Sequence, residues 1–130
     1  QVLAVYSKIS NLNIDVEDNA TILFKSKKNK NLIINLTLDF LRQDMTRSCT
    51  VIGSKGTIKW DLIKQQIIIY KNQKIKKYKF NNDLNNSFLM QWKNIINNRY
   101  ENQLNNAIKI MNIIKAIRLS NKINKFTKIK

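Results

Sequence analysis

The chain has 130 residues, 43% of them hydrophobic, and a formal charge of +16 from 24 basic and 8 acidic side chains. That length bounds it to one domain-sized core, and no apolar run reaches the roughly 18 residues that would span a bilayer. One cysteine and no histidine exclude an internal disulfide, a His/Cys zinc site and a Cys–His nucleophile pair.

The charge alone has the footprint of a nucleic-acid binder. It comes, however, with twenty lysines, twenty asparagines and twenty-one isoleucines, and only four arginines. These three abundant types share A/T-rich codons. Selection for phosphate binding would not raise Asn or Ile and would favour the planar fork of Arg. Background composition therefore accounts for the charge, and neither nucleic acid nor a membrane is expected as a partner. No signal peptide is visible, and a soluble cytoplasmic protein is expected. The opening "QVLAVYSKIS" lacks Met and runs straight into a strand pattern, so a fragment or separated domain is expected.

From residue 1 to about 80 the hydrophobic period is two. "VLAVYSKI" (2–9), "NATILFKS" (19–26), "NLIINLTLDF" (31–40), "RSCTVIGS" (47–54), "GTIKWDL" (56–62), "QQIIIYK" (65–71) and "KIKKYKF" (74–80) read as strands. Their short spacings force antiparallel neighbours and predict a meander. Ile22 and Phe24 share one face, as do Ile58 and Trp60, so one face of the sheet needs a cover. Cys49 alternates with Val51 and reads as a small buried strand residue.

From about residue 83 the period changes. Leu84, Phe88, Trp92, Ile95 and Ile96 fall on one side of a helix, with Asn82 or Asp83 as N-cap. A second helix, about 103–121, carries Leu104, Ala107, Ile110, Met111, Ile114 and Ile117 in a stripe wide enough for contact on more than one side. Phe24, Trp60, Phe88 and Trp92 lie on apolar stripes and read as core. "NKINKFTKIK" reads as a basic tail with little to pack. The fold class is α+β: a mostly antiparallel sheet over about 1–80, with two C-terminal helices, about 83–121, packed on one face.

The only glycines, Gly53 and Gly56, flank Ser54 and Lys55. A nucleotide-clamping GxxG loop sits between helices, whereas strand-like "CTVI" and "TIKW" flank this one. A Walker loop needs a longer glycine-rich run opening a helix. The structural reading is a hairpin turn, with Gly56 left-handed and closing a three-residue loop with a bulge.

The surroundings of that hairpin form an ordered pattern. "VEDNATILFK" (16–25), "LTLDFLRQDMTRSCTVIGSKGTIKWDL" (36–62), "FLMQWKNIINN" (88–98) and "NNAIKIMNIIKAIRLSNK" (105–122) follow one another in the order and spacing of a known family. The chain resembles, over essentially its whole length, the C-terminal domain of the Gfo/Idh/MocA oxidoreductases, the relatives of glucose-fructose oxidoreductase and inositol dehydrogenase. The shared features are a strand opening on an acidic pair, an I-G-x-x-G-T hairpin, a helix beginning with an aromatic residue, and a closing helix with an early Ala (Ala107) and a final Ser (Ser120).

The resemblance implies an NAD(P)-dependent enzyme acting on a sugar or nucleotide-sugar, in which this domain supplies a wall of the substrate site and a subunit interface. NAD or NADP would be held by an N-terminal Rossmann domain whose fingerprint is absent here. The family's catalytic lysine lies in an E-K-P motif and its histidine just before the first strand; this sequence has no Pro and no His. No catalytic, cofactor-binding or metal residue is therefore assigned, and the fragment alone is expected to be inactive. In relatives the segment "DFLRQDMTRS" (39–48) approaches the substrate. Arg42, Gln43 and Arg47 are the candidates for substrate contact, the guanidinium groups suiting phosphate or carboxylate; a solvated loop is the alternative. Glu17 and Asp18 resemble a catalytic pair, but adjacent strand residues point to opposite faces, which favours a structural role. A homo-oligomer through the sheet is expected, with Ile33 or Ile67 in the contact. A small basic RNA-binding domain and a non-catalytic dimerisation module are the competing readings.

Overall fold

A computed structural model describes residues 1–81, 83–97 and 103–129. Among the described residues seven strands are followed by two helices: β1 (Val2–Ser7), β2 (Asn19–Lys25), β3 (Ile33–Asp39), β4 (Ser48–Gly53), β5 (Gly56–Asp61), β6 (Gln66–Lys71), β7 (Lys74–Lys79), α1 (Leu84–Ile96) and α2 (Gln103–Ile123). The α+β, mostly antiparallel class read from the periodicity is the class observed. The meander is divided, however, into a three-stranded sheet, β1-β2-β3, and a four-stranded sheet, β4-β5-β6-β7. The division falls at residues 40–47, which form no strand and leave β3 and β4 as sheet edges. The chain accordingly forms two compact units, Gln1–Arg42 with Asn102–Lys130, and Gln43–Glu101.

In the first unit, β1 and β2 pair antiparallel with Val2 opposite Phe24 and Ala4 opposite Ile22. Paired residues share a face, so the period of two gathers these four side chains on one side. α2 packs there against β1. Val2, Ala4, Ile22 and Ala116 are buried, with Phe24, Ile117 and Ile129 partly buried around them. The small side chains of Ala4 and Ala116 let helix and strand approach closely.

β1 is an edge strand, and its outward N–H groups are all satisfied by the end of the chain. Val2 N–H donates to the Thr127 carbonyl (2.9 Å), with Thr127 N–H returning a bond to Val2 (2.8 Å). Ala4 N–H donates to Ser120 Oγ (3.0 Å) and Tyr6 N–H to Asn121 Oδ1 (2.9 Å). Ser120, fully buried, donates in turn to the Lys125 carbonyl (2.8 Å). Asn124, in the left-handed region (φ 52°), turns the chain back after α2. The basic tail expected to have little to pack is thus an edge cover for β1.

In the second unit, β4 to β7 form a regular meander. Asn72 and Gln73, with φ of 50° and 58°, make the primed two-residue turn between β6 and β7. Gly53 pairs directly with Gly56, so the β4–β5 loop holds two residues rather than three. Gly56 has φ 149°, and a Cβ on it would press into the Tyr70 carbonyl oxygen of β6.

Other expectations are corrected by exposure. Cys49 is exposed, because β4 is an edge strand with both faces open and its alternation with Val51 only places the two on the same open face. Phe88 and Trp92 on α1 are 58% and 62% exposed, so the apolar stripe of this helix is not the sheet cover the periodicity predicts. Only the C-terminal half of α2 is buried, through Ala116 and Ser120; Leu104, Ile110 and Met111 are exposed, which leaves contact on one side. Asp83 caps α1, its side chain accepting from Asn85 N–H (3.1 Å), while Asn82 lies outside the described residues. Among the described residues no helix is long and apolar enough to cross a membrane.

Ser120→Ala strands a buried donor and removes a bond to Lys125, and is expected to cost about 1–3 kcal/mol in urea unfolding; an unchanged midpoint would remove the edge cover from the energetics of the fold. Gly56→Ala should cost about 2 kcal/mol or more, and Gly53→Ala about 0.5 kcal/mol or less, because the atom nearest to a new Cβ at Gly53 is 3.9 Å away. Equal effects of the two substitutions would contradict the close approach to Tyr70.

Candidate functional site

The segment 39–48 begins at the end of β3. The Asp39 carboxylate, through Oδ1, accepts from the N–H groups of Leu41 (3.2 Å) and Arg42 (2.9 Å). This turn stops the strand because the side chain replaces the next ladder partner. Phe40 N–H still reaches back to the Asp18 carbonyl (2.9 Å), which ties the exit of β3 to the entry of β2.

Between these two strand ends lies a cavity of about 360 Å³, lined by Glu17, Asp18, Asn19, Ala20, Leu38, Asp39 and Phe40. Its wall joins three apolar side chains, Ala20, Leu38 and Phe40, to three acidic ones, a combination that can offer carboxylates to hydroxyl donors and the Phe40 ring to an apolar face. Phe40 is 70% exposed and available for such a contact.

Asp18 itself is committed elsewhere. The residue is 2% exposed, and its carboxylate accepts from Ile9 N–H (2.8 Å), Ser10 N–H (3.0 Å) and the Ser10 hydroxyl. Ser10 Oγ accepts in turn from Leu12 N–H (3.1 Å). The carboxylate thereby folds the long β1–β2 connection onto the start of β2. The Ser10 hydroxyl bond, followed by the Ile9 N–H bond, holds its pKa below the ordinary carboxylate value, against the opposing effect of desolvation. Glu17, its neighbour, is exposed.

Arg42, Gln43 and Arg47 are all exposed. Arg42 closes the first unit, and Gln43 opens the second. Arg42 ends the turn held by the Asp39 carboxylate, just beyond the lining residues of the cavity in sequence, whereas Arg47 is anchored through its backbone, its carbonyl accepting from Leu62 N–H (2.9 Å). The sequence reading missed the cavity and the role of Asp18. An Asp eight residues after a Lys-Ile-Ser stretch carries no pattern that announces a loop clamp.

The residues present do not fit a dinucleotide. Such a cofactor needs a glycine-rich turn leading from a strand into a helix N-terminus, and both glycines here flank a strand-to-strand turn. Among the described residues no group of three His, Cys, Asp or Glu side chains converges as a metal site.

Comparison of the chain with protein-family models, with curated proteins and with solved structures finds no match.

The Asp18 clamp has a pH signature. A carboxylate with a depressed folded-state pKa contributes stability above its unfolded value, near pH 4, and loses that contribution as pH falls through the folded value. The wild-type chain is therefore expected to lose stability in this acidic window more steeply than Asp18→Asn, followed by urea midpoints across the titration; parallel pH profiles would sink the clamp.

Proposed function

We propose that the chain is the C-terminal part of an NAD(P)-dependent oxidoreductase of the Gfo/Idh/MocA type, acting in the cytoplasm on a sugar or nucleotide-sugar. In this reading the cofactor is bound by a Rossmann domain outside these 130 residues, and the present residues supply the substrate wall and a homodimer surface. The observation that carries the reading is the open apolar surface of both sheets. Val51 is 58% and Ile58 44% exposed on the face they share with Trp60 and Ile67, and Ile33 on β3 is 64% exposed. Surfaces of this kind mark packing against another domain or subunit.

The cavity beside β3 supports the substrate assignment; Arg42, whose N–H is held by the Asp39 carboxylate of its wall, is the candidate group for a phosphate or carboxylate, and Gln43 and Arg47 follow it in the sequence as the other two candidates. Glu17 and Asp39 would accept sugar hydroxyls, and Phe40 would cover an apolar ring face. These are binding and orienting roles; proton and hydride transfer belong to residues of the cofactor domain.

The test is a full-length protein containing this chain, assayed for nicotinamide reduction on a panel of sugars and nucleotide-sugars, with its mass measured in solution. A dimer with cofactor-dependent activity is expected. Arg42→Ala should raise KM about tenfold or more with kcat nearly kept, the signature of lost ground-state binding to a charged partner. Unchanged kinetics would remove Arg42 from the site, and a monomer without cofactor-dependent activity would overturn the assignment.

A further inference from the structure

The second unit carries another cavity, of about 430 Å³, at the end of the sheet where the β4–β5 and β6–β7 turns lie side by side. Lys55, Lys71 and Lys74 stand among its lining residues, none of which is acidic. From residue 62 to residue 81 the chain has no Asp or Glu at all. Background composition explains many lysines and few acidic residues. The fold then gathers three of those lysines at one end of the sheet, with no acidic residue in the lining to offset them.

The same end is apolar at its margins. The strand register places Ile52, Thr57, Tyr70 and Ile75 in one row across the four strands. The outermost members, Ile52 and Ile75, are 80% and 67% exposed. A lone exposed aliphatic residue is ordinary. Two of them beside two turns that carry three lysines form the pairing of apolar anchor and cation that suits an interface between water and lipid.

We infer that this end of the four-stranded sheet docks on the surface of an anionic lipid bilayer. Lys55, Lys71 and Lys74 meet the headgroup phosphates, their alkyl stems lying along the surface, while Ile52 and Ile75 enter the acyl boundary. No membrane-spanning segment is needed for such contact. Single-stranded nucleic acid fits less well, because it wants aromatic platforms and favours arginine. Here the row has one aromatic, Tyr70, and the Lys59 ammonium already lies 5.4 Å from its ring centroid.

The experiment is vesicle co-sedimentation of the 130-residue chain. Phosphatidylcholine vesicles with about one-third phosphatidylserine should bind it, and pure phosphatidylcholine vesicles should not; raising salt to about 0.5 M should weaken the binding steeply. The triple variant Lys55→Gln, Lys71→Gln, Lys74→Gln should bind on the order of a hundredfold more weakly, and Ile52→Ser with Ile75→Ser about tenfold more weakly at unchanged salt slope, each with the circular dichroism of the folded parent. Lys27→Gln, Lys28→Gln and Lys30→Gln, on the β2–β3 connection, serve as the charge-matched control and should bind nearly as the parent does. No binding to anionic vesicles, or equal losses in the two lysine triples, would overturn the proposal. So would a labelled oligouridine that binds through the same three lysines without dependence on the isoleucines, while anionic vesicles do not compete; that outcome would assign the surface to nucleic acid.

Discussion

The first unit depends on how the open edge of β1 is closed. A strand with a core-facing side and one hydrogen-bonded neighbour leaves every second N–H without a partner, and such groups are costly to bury. Here those of Val2, Ala4 and Tyr6 meet a backbone carbonyl, a serine hydroxyl and an asparagine amide, all supplied by residues 120–127. Polar closure and apolar packing are therefore one event. Ala116 sits in the core one helical turn before Ser120, which is held at the strand edge, so the same stretch of α2 makes both contacts. The serine near the end of α2 acquires a physical reason in this bond.

The same economy governs the β1–β2 connection. An eleven-residue connection would ordinarily be mobile, yet Asp18 gathers two backbone donors and a hydroxyl from it while its own carbonyl holds Phe40. One residue thus sets both the loop and the exit of β3, and with them the walls of the cavity between β2 and β3. An acidic side chain in a cavity wall invites a catalytic reading. The hydrogen bonds made by Asp18 assign it to support instead, and leave the exposed residues around it as the groups that can meet a ligand.

Much of this architecture is legible in the residues. Period-two alternation marks all seven strands and the change to helical spacing marks α1 and α2, because both periodicities follow from backbone geometry rather than from context. What alternation cannot say is whether the face it defines is covered. Cys49, Phe88 and Trp92 read as core for that reason, and each is exposed. The Thr127 bridge was equally hidden: one paired residue in a lysine-rich tail has no period to read. Of the candidate site, the Arg42 segment is visible through the scarcity of arginine. The Asp18 clamp is not, since its partners are backbone groups that every residue carries.

The two free edges of the four-stranded sheet are chemically opposite, and the difference limits how that sheet can be extended. β7 carries Lys74, Lys76, Lys77 and Lys79, which alternation distributes over both faces. A second strand of like composition laid against it would set ammonium groups opposite one another, and exposed edges are commonly blunted in this way. β4, from Ser48 to Gly53, has no charged side chain and exposes both Val51 and Ile52. Strand addition to this sheet is therefore disfavoured at β7 and unopposed at β4. The lysine that an A/T-rich composition supplies without regard to position thus acquires a direction from the fold, repelling at one edge and leaving the other open.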